Sequence, residues 1–223
     1  RDNDQKYFKD DKSWDFAENT LRQVLQDRKD PFIEAPDEAA FYGPKIDIQM
    51  KNVHGKEDTA FTVQYDFVMP TRFNLTYINT NGQDEQPIVI HRSSIGAIER
   101  IMAFLIEHFA GNFPLWLSPI QVKILPISDK VEQYAQQIFQ TLKDSNIRTE
   151  LDTNPETIGN KIRIAQTEKI PYMIIVGEKE FESDTISIRT RTNQQANNLQ
   201  LSDFVNQIKH EIGSKSLTLQ ACI

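Results

Sequence analysis

The spacing of apolar and polar residues predicts a sheet-based first half. Residues 45–50 alternate polar with apolar side chains, as a half-exposed strand does, and residues 59–67 repeat this pattern after a turn. Residues 75–78 and the apolar run at 87–91 predict two more strands, of which the last reads as buried. An amphipathic helix from residue 13 precedes them, because apolar residues recur there at helical spacing. These elements predict an antiparallel sheet that carries helices on one face.

The second half follows a different pattern, in which strands alternate with helices. Strands are predicted at 122–126, 147–151, 172–176 and 185–190, of which the first and third are apolar and the last alternates polar with apolar residues. Such alternation favours a mainly parallel sheet, and the short connection before residues 185–190 makes that last pair antiparallel. The fold class is therefore α/β combined with α+β. The expected domains are residues 1–117 and 118–213, followed by a flexible tail at 214–223.

Polar side chains gather where the strand at 87–91 meets the next helix. Apolar residues then recur at a spacing of three to four, which predicts one buried helix face formed by Ile95, Ile98, Met102, Leu105, Ile106 and Phe109. His91 ends the strand, and Glu99 and Arg100 lie inside the helix. In open sheets such a junction is where ligands tend to bind. The alternatives are a hydrogen-bonded histidine in the core and a surface pair of Glu99 with Arg100.

Composition narrows the classes of protein that fit. The chain has 223 residues, ordinary hydrophobic and charged fractions of 39% and 26%, and a net charge of −7. A charge of this sign argues against a generic nucleic-acid binder, so we expect no DNA partner and only local, specific RNA contacts. The single cysteine, Cys222, excludes a disulfide framework and fits a cytoplasmic protein. No run approaches the roughly 20 apolar residues that cross a bilayer, so no membrane association is expected.

Four stretches together resemble one enzyme family. His91-Arg92, then Gly96, then Glu99-Arg100 has the form of motif 3 of the class II aminoacyl-tRNA synthetases. Residues 113–119, with the sequence Phe-Pro-Leu-Trp-Leu-Ser-Pro, are similar to the threonyl type of this family. Residues 41–46 resemble that type's tyrosine-glycine-proline-lysine strand, and residues 62–73 resemble its threonine-x-glutamine-x-aspartate-phenylalanine strand. The resemblance covers residues 13–212.

The resemblance implies the chemistry of threonine–tRNA ligation in translation. ATP with Mg2+ activates the carboxylate of threonine, and cationic groups neutralise the charge that develops on the phosphates. By resemblance Arg100 binds ATP and is catalytic together with Gln64 and Lys45, whereas Tyr42, Gln64 and His91 bind the amino acid. His91 matches one of the family's three zinc ligands, and the zinc selects threonine by its hydroxyl group. Tyr42 as a packing aromatic and Gln64 as a solvent-facing residue are the alternatives.

The resemblance places the chain in the C-terminal portion of such an enzyme. Motifs 1 and 2 and the other two zinc ligands have no counterpart in these residues, so we expect the 223-residue chain to be inactive alone. For the full-length parent the resemblance implies a homodimer. Two other hypotheses stay open: a free-standing anticodon-binding or regulatory module derived from a synthetase, and a related class II enzyme of the prolyl or glycyl type.

The second domain is expected to recognise the anticodon of tRNA(Thr). Residues 118–213 hold 11 Lys and Arg against 13 Asp and Glu, so general attraction to phosphates does not suffice and base edges must be read. By resemblance the contacts fall on Pro155, Glu156, Glu180 and Arg189. Glu180 can accept from the N–H groups of guanine, and Arg189 can donate to a carbonyl and a ring nitrogen. The alternative is a surface pair between Glu180 and Arg189.

Overall fold

The computed structural model describes residues 5–221, and the chain divides after Phe104 into two compact units. Helices and strands follow in the order α1 (Asp11–Arg28), β1 (Lys45–Lys51), β2 (Glu57–Asp66), α2 (Met69–Arg72), β3 (Tyr77–Ile78), β4 (Asp84–Glu85), β5 (Val89–Arg92), α3 (Ile98–Phe109), β6 (Val122–Pro126), α4 (Glu132–Asp144), β7 (Thr149–Leu151), α5 (Ile158–Thr167), β8 (Tyr172–Val176), α6 (Glu178–Ser183), β9 (Ile186–Thr190), β10 (Gln195–Leu199) and α7 (Leu201–Gly213). Two short 3-10 helices lie at Leu115–Leu117 and Asp129–Val131. The predicted fold class is confirmed.

The first unit is built on a three-stranded antiparallel sheet in the order β1-β2-β5. The strands β3 and β4 pair with each other in a separate two-stranded sheet. In the core of this unit, Trp14 of α1 is 2% exposed and meets the rings of Tyr7 and Phe67 edge to face. These contacts anchor α1 to the chain that follows β2.

The strand predicted as buried at residues 87–91 is largely exposed. It forms β5 at Val89–Arg92, where Ile90 is 53% exposed and only Val89 is half-buried. An apolar run predicts a strand but not how far it is buried, since burial depends on which elements cover the strand.

The predicted buried face of α3 is also wrong for this chain. The helix forms at Ile98–Phe109 and is amphipathic, but none of its residues is buried. Four residues of the predicted face are exposed, from 50% for Ile106 to 65% for Ile98, whereas Leu105 and Phe109 are half-buried. The 3.6-residue period identifies residues that share one face, whereas burial requires a neighbour against that face. These apolar side chains therefore form an exposed stripe.

The turn before α3 depends on Gly96. This residue has a φ of +71°, and a Cβ built there would lie 2.1 Å from the carbonyl oxygen of Ala60. Its N–H donates to the Oγ of Ser93 at 2.7 Å. Only glycine combines this backbone angle with so close an approach to β2.

The second unit is a five-stranded mixed sheet in the order β10-β9-β8-β6-β7. The strands β6, β7 and β8 are parallel, and β9 and β10 are antiparallel to their neighbours, so the predicted antiparallel pair β8–β9 is confirmed. The helices α4 and α7 cover one face with a large apolar core, and α5 covers the other through Ala165, packed in a smaller cluster with Leu125 and Met173. Two elements were not predicted, α6 and β10.

The expected flexible tail does not fit residues 214–221. Leu219 and Ala221 pack against the core formed by α4 and α7, and Ala221 is 2% exposed. The N–H of Ala221 donates to the Oη of Tyr172 at 2.9 Å, and the carboxylate of Glu211 accepts from the N–H of Gln220 at 2.9 Å. Residues 222 and 223 lie outside the described residues.

No helix within residues 5–221 combines the length and the apolar character needed to span a bilayer.

Candidate functional site

Three of the predicted residues form one row across the sheet of the first unit. Gln64 on β2 lies opposite Lys45 on β1 and opposite His91 on β5. Directly opposed residues of antiparallel strands project to the same face. The side chains of Lys45, Gln64 and His91 therefore lie on one face, with Gln64 in the middle.

Tyr42 joins this row from the turn before β1. Its hydroxyl donates to the Oε1 of Gln64, and its ring lies 5.6 Å from the imidazole of His91 at a tilt of 60°. Gly43 permits this position, because a Cβ there would overlap the carbonyl oxygen of Tyr65 at 1.8 Å. Tyr42 is thus a neighbour of Gln64 and His91, and Gln64 is half-buried and hydrogen-bonded.

Sequence reasoning assigned no role to Asp66, which the structure places at the base of His91. Its side chain is fully buried, and one carboxylate oxygen lies 2.7 Å from the Nε2 of His91. The other oxygen accepts from the N–H groups of Val68 at 3.0 Å and Met69 at 2.9 Å, at the start of α2. Thr62, Gln64 and Asp66 follow at a spacing of two along β2, which is the signal that places all three on one face.

A second carboxylate, that of Asp47, engages Lys45. The Nζ of Lys45 forms an ion pair with one oxygen of Asp47, and the hydroxyl of Thr62 donates to the other oxygen at 2.7 Å. The ammonium group of Lys45 is therefore neutralised within the sheet. In this arrangement Lys45 reaches Asp47 rather than Gln64.

His91 is the one candidate, among the predicted residues, for the zinc ligand that the resemblance implies. Within residues 5–221, no three His, Cys, Asp or Glu side chains stand close enough together to hold a metal ion. His91 fits as one ligand, since its side chain is 47% exposed and the buried carboxylate of Asp66 fixes one ring nitrogen. Metal-bound histidines commonly have such a carboxylate partner, which orients the ring.

Arg100 lies away from this row. Its Nη1 donates to the carbonyl oxygen of Thr59 at 2.6 Å, and the residue is exposed. Thr59 precedes Gln64 by five positions on β2, which corresponds to roughly 17 Å along an extended strand. The structure therefore brings Tyr42, Lys45, Gln64 and His91 together and places Arg100 over the other end of β2.

The predicted anticodon contacts lie in the second unit, in two places. Pro155 and Glu156 are exposed in the loop between β7 and α5, where Glu156 accepts from the Nδ2 of Asn160 at 2.7 Å. Glu180 and Arg189 belong to α6 and β9, towards the opposite edge of the sheet.

Glu180 is engaged by its own unit through both carboxylate oxygens. One accepts from the N–H of Gly177 at 2.9 Å, which caps α6, and the other accepts from the hydroxyl of Ser187 at 2.7 Å. Burial acts to raise the pKa of this carboxyl, but the hydrogen bonds from Ser187 and Gly177 outweigh it, so the pKa lies below its ordinary value. Glu180 is therefore a charged residue that is held in place.

Arg189 lies on the same face of β9 as Ser187, two positions further along the strand. It is half-buried and opposes Met173 on β8 and Gln195 on β10, on the face that α5 covers in part. Its Nη2 and Nε donate to the Oδ1 of Asn193 at 2.8 and 3.2 Å. No ion pair joins Glu180 with Arg189 among the described residues, so the surface-pair alternative does not account for either side chain.

Comparisons with known proteins match both units. Residues 2–109 match the family described as tRNA synthetase class II core domain (G, H, P, S and T), and residues 121–211 match the family described as anticodon binding domain. The threonine–tRNA ligase of Clostridium botulinum (strain Eklund 17B) is 48% identical over 96% of the chain, and that of Oceanobacillus iheyensis is 43% identical over the same share. The chain spans about a third of the length of these relatives, 33% in each case.

A solved structure is similar over almost all of the chain. The crystal structure of the RNA-binding domain of threonyl-tRNA synthetase from Cryptosporidium parvum superposes with a TM-score of 0.82 at 32% identity, covering 97% of this chain and 54% of that one. The two family matches, the relatives and this structure agree with the motif resemblance in residues 41–46, 62–73 and 91–100. The chain belongs to the class II aminoacyl-tRNA synthetases, and within them to the threonyl-tRNA synthetase family.

Proposed function

We propose that the chain supplies half of an amino-acid pocket and the anticodon-reading domain of a threonine–tRNA ligase. The observation that carries this proposal is the linked group of Tyr42, Gln64 and His91, in which three residues of the resemblance meet on one sheet face. These side chains come from a turn and two strands, and their distances follow from the register of the sheet.

In this proposal each of these residues has a task. The side-chain oxygen of Gln64 accepts a hydrogen bond from the Tyr42 hydroxyl. The amide N–H groups of Gln64 are therefore left to bind a ligand. The phenol of Tyr42 forms a wall beside His91. His91, oriented by Asp66, would be one ligand of a zinc ion. When bound, such an ion would hold the amino and hydroxyl groups of threonine and so reject valine.

ATP use follows from membership of the class II family, and we assign Arg100 to the nucleotide. Its planar guanidinium lies beside Thr59 on β2 and belongs to an exposed residue, so it can stack on an adenine or contact a phosphate. Mg2+ would accompany the nucleotide. Lys45 takes a different place in this proposal: its ion pair with Asp47 makes it a residue that orders the sheet beside Gln64.

The second unit would bind the anticodon loop of tRNA(Thr) on the partly open face of β8, β9 and β10. Arg189, held by Asn193, would donate hydrogen bonds from its guanidinium to a base edge. Glu180 would accept hydrogen bonds from a base through the lone pairs that Gly177 and Ser187 do not occupy. Pro155 and Glu156 would contribute from the loop before α5. Because acidic residues outnumber basic ones in this domain, base reading has to dominate over phosphate attraction.

A chimera tests the enzymatic part of the proposal. Residues 5–221 would replace the matching third of the Clostridium botulinum threonine–tRNA ligase, and threonine-dependent pyrophosphate exchange and tRNA charging would be measured. We expect the chimera to be active. Activity should be lost both in its Gln64→Ala single variant and in its Tyr42→Phe/Gln64→Ala double variant. An active chimera that tolerates both variants would refute the assignment of the pocket.

An anticodon-binding module is the second candidate, and the self-contained core of the second unit favours it. The two candidates differ in one measurement. A module binds an RNA hairpin with a threonine anticodon while the chimera stays inactive, whereas an enzyme segment gives activity in the chimera as well. A homodimer and a cytoplasmic location are part of the first candidate.

A further inference from the structure

Arg189 has an anchor that the sequence did not reveal. The side chain of Asn193, in the turn between β9 and β10, accepts from two N–H groups of the Arg189 guanidinium. The Nε2 of Gln166 on α5 donates to the same oxygen. The anchor therefore links helix, turn and strand.

The direction of the Asn193 amide is fixed by chemistry. A guanidinium has only donors, and so does the amino end of an asparagine side chain. The oxygen of the Asn193 amide must consequently face Arg189. Two donors of one plane on one acceptor restrict both the position and the rotation of the guanidinium.

Asn193 also suits its place in the backbone. Its φ is +69°, in the left-handed region that asparagine and glycine adopt more readily than other residues. Its N–H donates to the carbonyl oxygen of Thr190 at 3.0 Å, which closes the turn. Glycine at this position would keep the backbone conformation and remove the side chain with its acceptor oxygen.

The anchored guanidinium keeps groups for an outside acceptor. Arg189 has five N–H groups, and two of them donate to Asn193. Within residues 5–221 no other side chain or carbonyl takes the remaining three. The anchoring contact occupies the Nε side of the fork, so both hydrogens of Nη1 and one hydrogen of Nη2 remain for another acceptor.

We propose that Asn193 is a positioning residue for tRNA recognition, which fixes the guanidinium of Arg189 in the orientation that reads an anticodon base. This inference rests on the proposed binding of tRNA by the second unit. Its physical basis is that a long side chain ordered before binding loses less entropy when it binds. Gln166 extends the anchor to α5, so the orientation is set relative to the helix whose preceding loop carries Pro155 and Glu156.

The test compares Asn193→Gly with Gln194→Gly in the 223-residue chain. Both variants place one new glycine in the same turn, but only the first removes the acceptor of Arg189. Two quantities are measured: the hydrogen exchange rate of the Arg189 Nε–H by NMR, and the affinity for an RNA hairpin with a threonine anticodon. A hairpin with the second anticodon base replaced gives the discrimination ratio.

We expect Asn193→Gly to speed the exchange of the Nε–H about fivefold, because one hydrogen bond is lost. Affinity for the hairpin should fall about 2- to 12-fold, and the discrimination ratio should fall with it. Gln194→Gly should change neither quantity. In an Arg189→Ala background, Asn193→Gly should have no further effect on affinity, since its action passes through Arg189.

Two results would overturn the inference and are distinguishable. If Arg189→Ala weakens binding but Asn193→Gly leaves affinity and discrimination unchanged, Asn193 does not position Arg189 and the proposed function stands. If Arg189→Ala itself has no effect on hairpin binding, both the inference and the anticodon role of Arg189 are wrong.

Discussion

The Nε2 of His91 lies 2.7 Å from a carboxylate oxygen of Asp66, a residue whose side chain is fully buried. The second oxygen of that carboxylate accepts from two N–H groups at the start of α2. One side chain therefore fixes both the imidazole and the first turn of a helix.

Asp66→Ala should destabilise the first unit. Its loss leaves buried N–H groups unpaired, which costs about 1–3 kcal/mol for each such group. The measurement is urea unfolding followed by Trp14 fluorescence in a Trp116→Phe background; the Nε1 of Trp116 is buried and lacks a partner within residues 5–221, so that change removes no hydrogen bond. Glu57→Ala, at an exposed position of the same strand, should change the unfolding free energy by less than about 0.5 kcal/mol. An equal effect of both variants would contradict the role of Asp66.

His91→Ala in the chimera should weaken selection of threonine against valine. The shape of a pocket alone discriminates such isosteres by about 10²-fold at most, so loss of the zinc should lower the discrimination by at least about 10²-fold. Zinc content should fall in parallel. His54→Ala, in the exposed turn between β1 and β2, provides the control with the same residue type. A His91→Ala chimera that keeps stoichiometric zinc and full selectivity would show that the histidine is structural.

Arg189→Ala should weaken binding of the threonine-anticodon hairpin by about 1–3 kcal/mol, as loss of a forked base contact does. Lys209→Ala removes the same charge from α7, on the opposite face of the sheet, and should have little effect. Affinities are to be compared at two salt concentrations. A loss that vanishes at high salt would assign Arg189 to phosphate contact instead of base reading.

The lowered pKa of Glu180 predicts a pH dependence of stability. A carboxyl whose folded pKa lies below its ordinary value of 4.5 stabilises the folded state above that pH, and the contribution is lost as the pH falls through the folded pKa. Ser187→Ala removes one of the hydrogen bonds that lower this pKa. We therefore expect a higher pKa of Glu180 in the variant, measured by NMR titration of its carboxyl carbon.

The unfolding free energy of the Ser187→Ala variant should also change less between pH 6 and pH 3 than that of the parent. Glu182→Gln, which removes an exposed carboxylate from the same helix, is the control and should leave this pH dependence unchanged. An unchanged titration of Glu180 in the Ser187→Ala variant would contradict the hydrogen-bond explanation.

Sequence periodicity predicted what depends on local spacing. The alternation in β1 and β2 was sufficient to place Gln64 and Asp66 on one face, and the motif spacing singled out Tyr42, Gln64 and His91, which the structure brings together. The exposure of Ile98 and Met102 was not predictable in this way. The spacing of apolar residues shows which side chains share a helix face, but not whether another element packs against that face.

Long-range side-chain contacts were also beyond sequence reasoning. Asn193 follows Arg189 by four residues, but their contact depends on a turn between two strands, and β10 is too polar to be recognised as a strand. The helix α6 is only six residues long and owes its start to the hydrogen bond between Glu180 and Gly177. Short elements stabilised by individual side chains leave no period in the sequence.

Because residues 214–221 pack against the core of the second unit, they set the C-terminal limit of any fragment meant to bind RNA on its own. A piece that stops at Gly213, where the helical pattern ends, would leave the hydroxyl of Tyr172 without its N–H donor and open the apolar surface under Leu219 and Ala221. The strand β8 lies next to β9, which carries Arg189, so this damage begins one strand away from the proposed reading face. Grafting, fusion or minimisation of this domain should therefore keep the chain intact through at least Ala221.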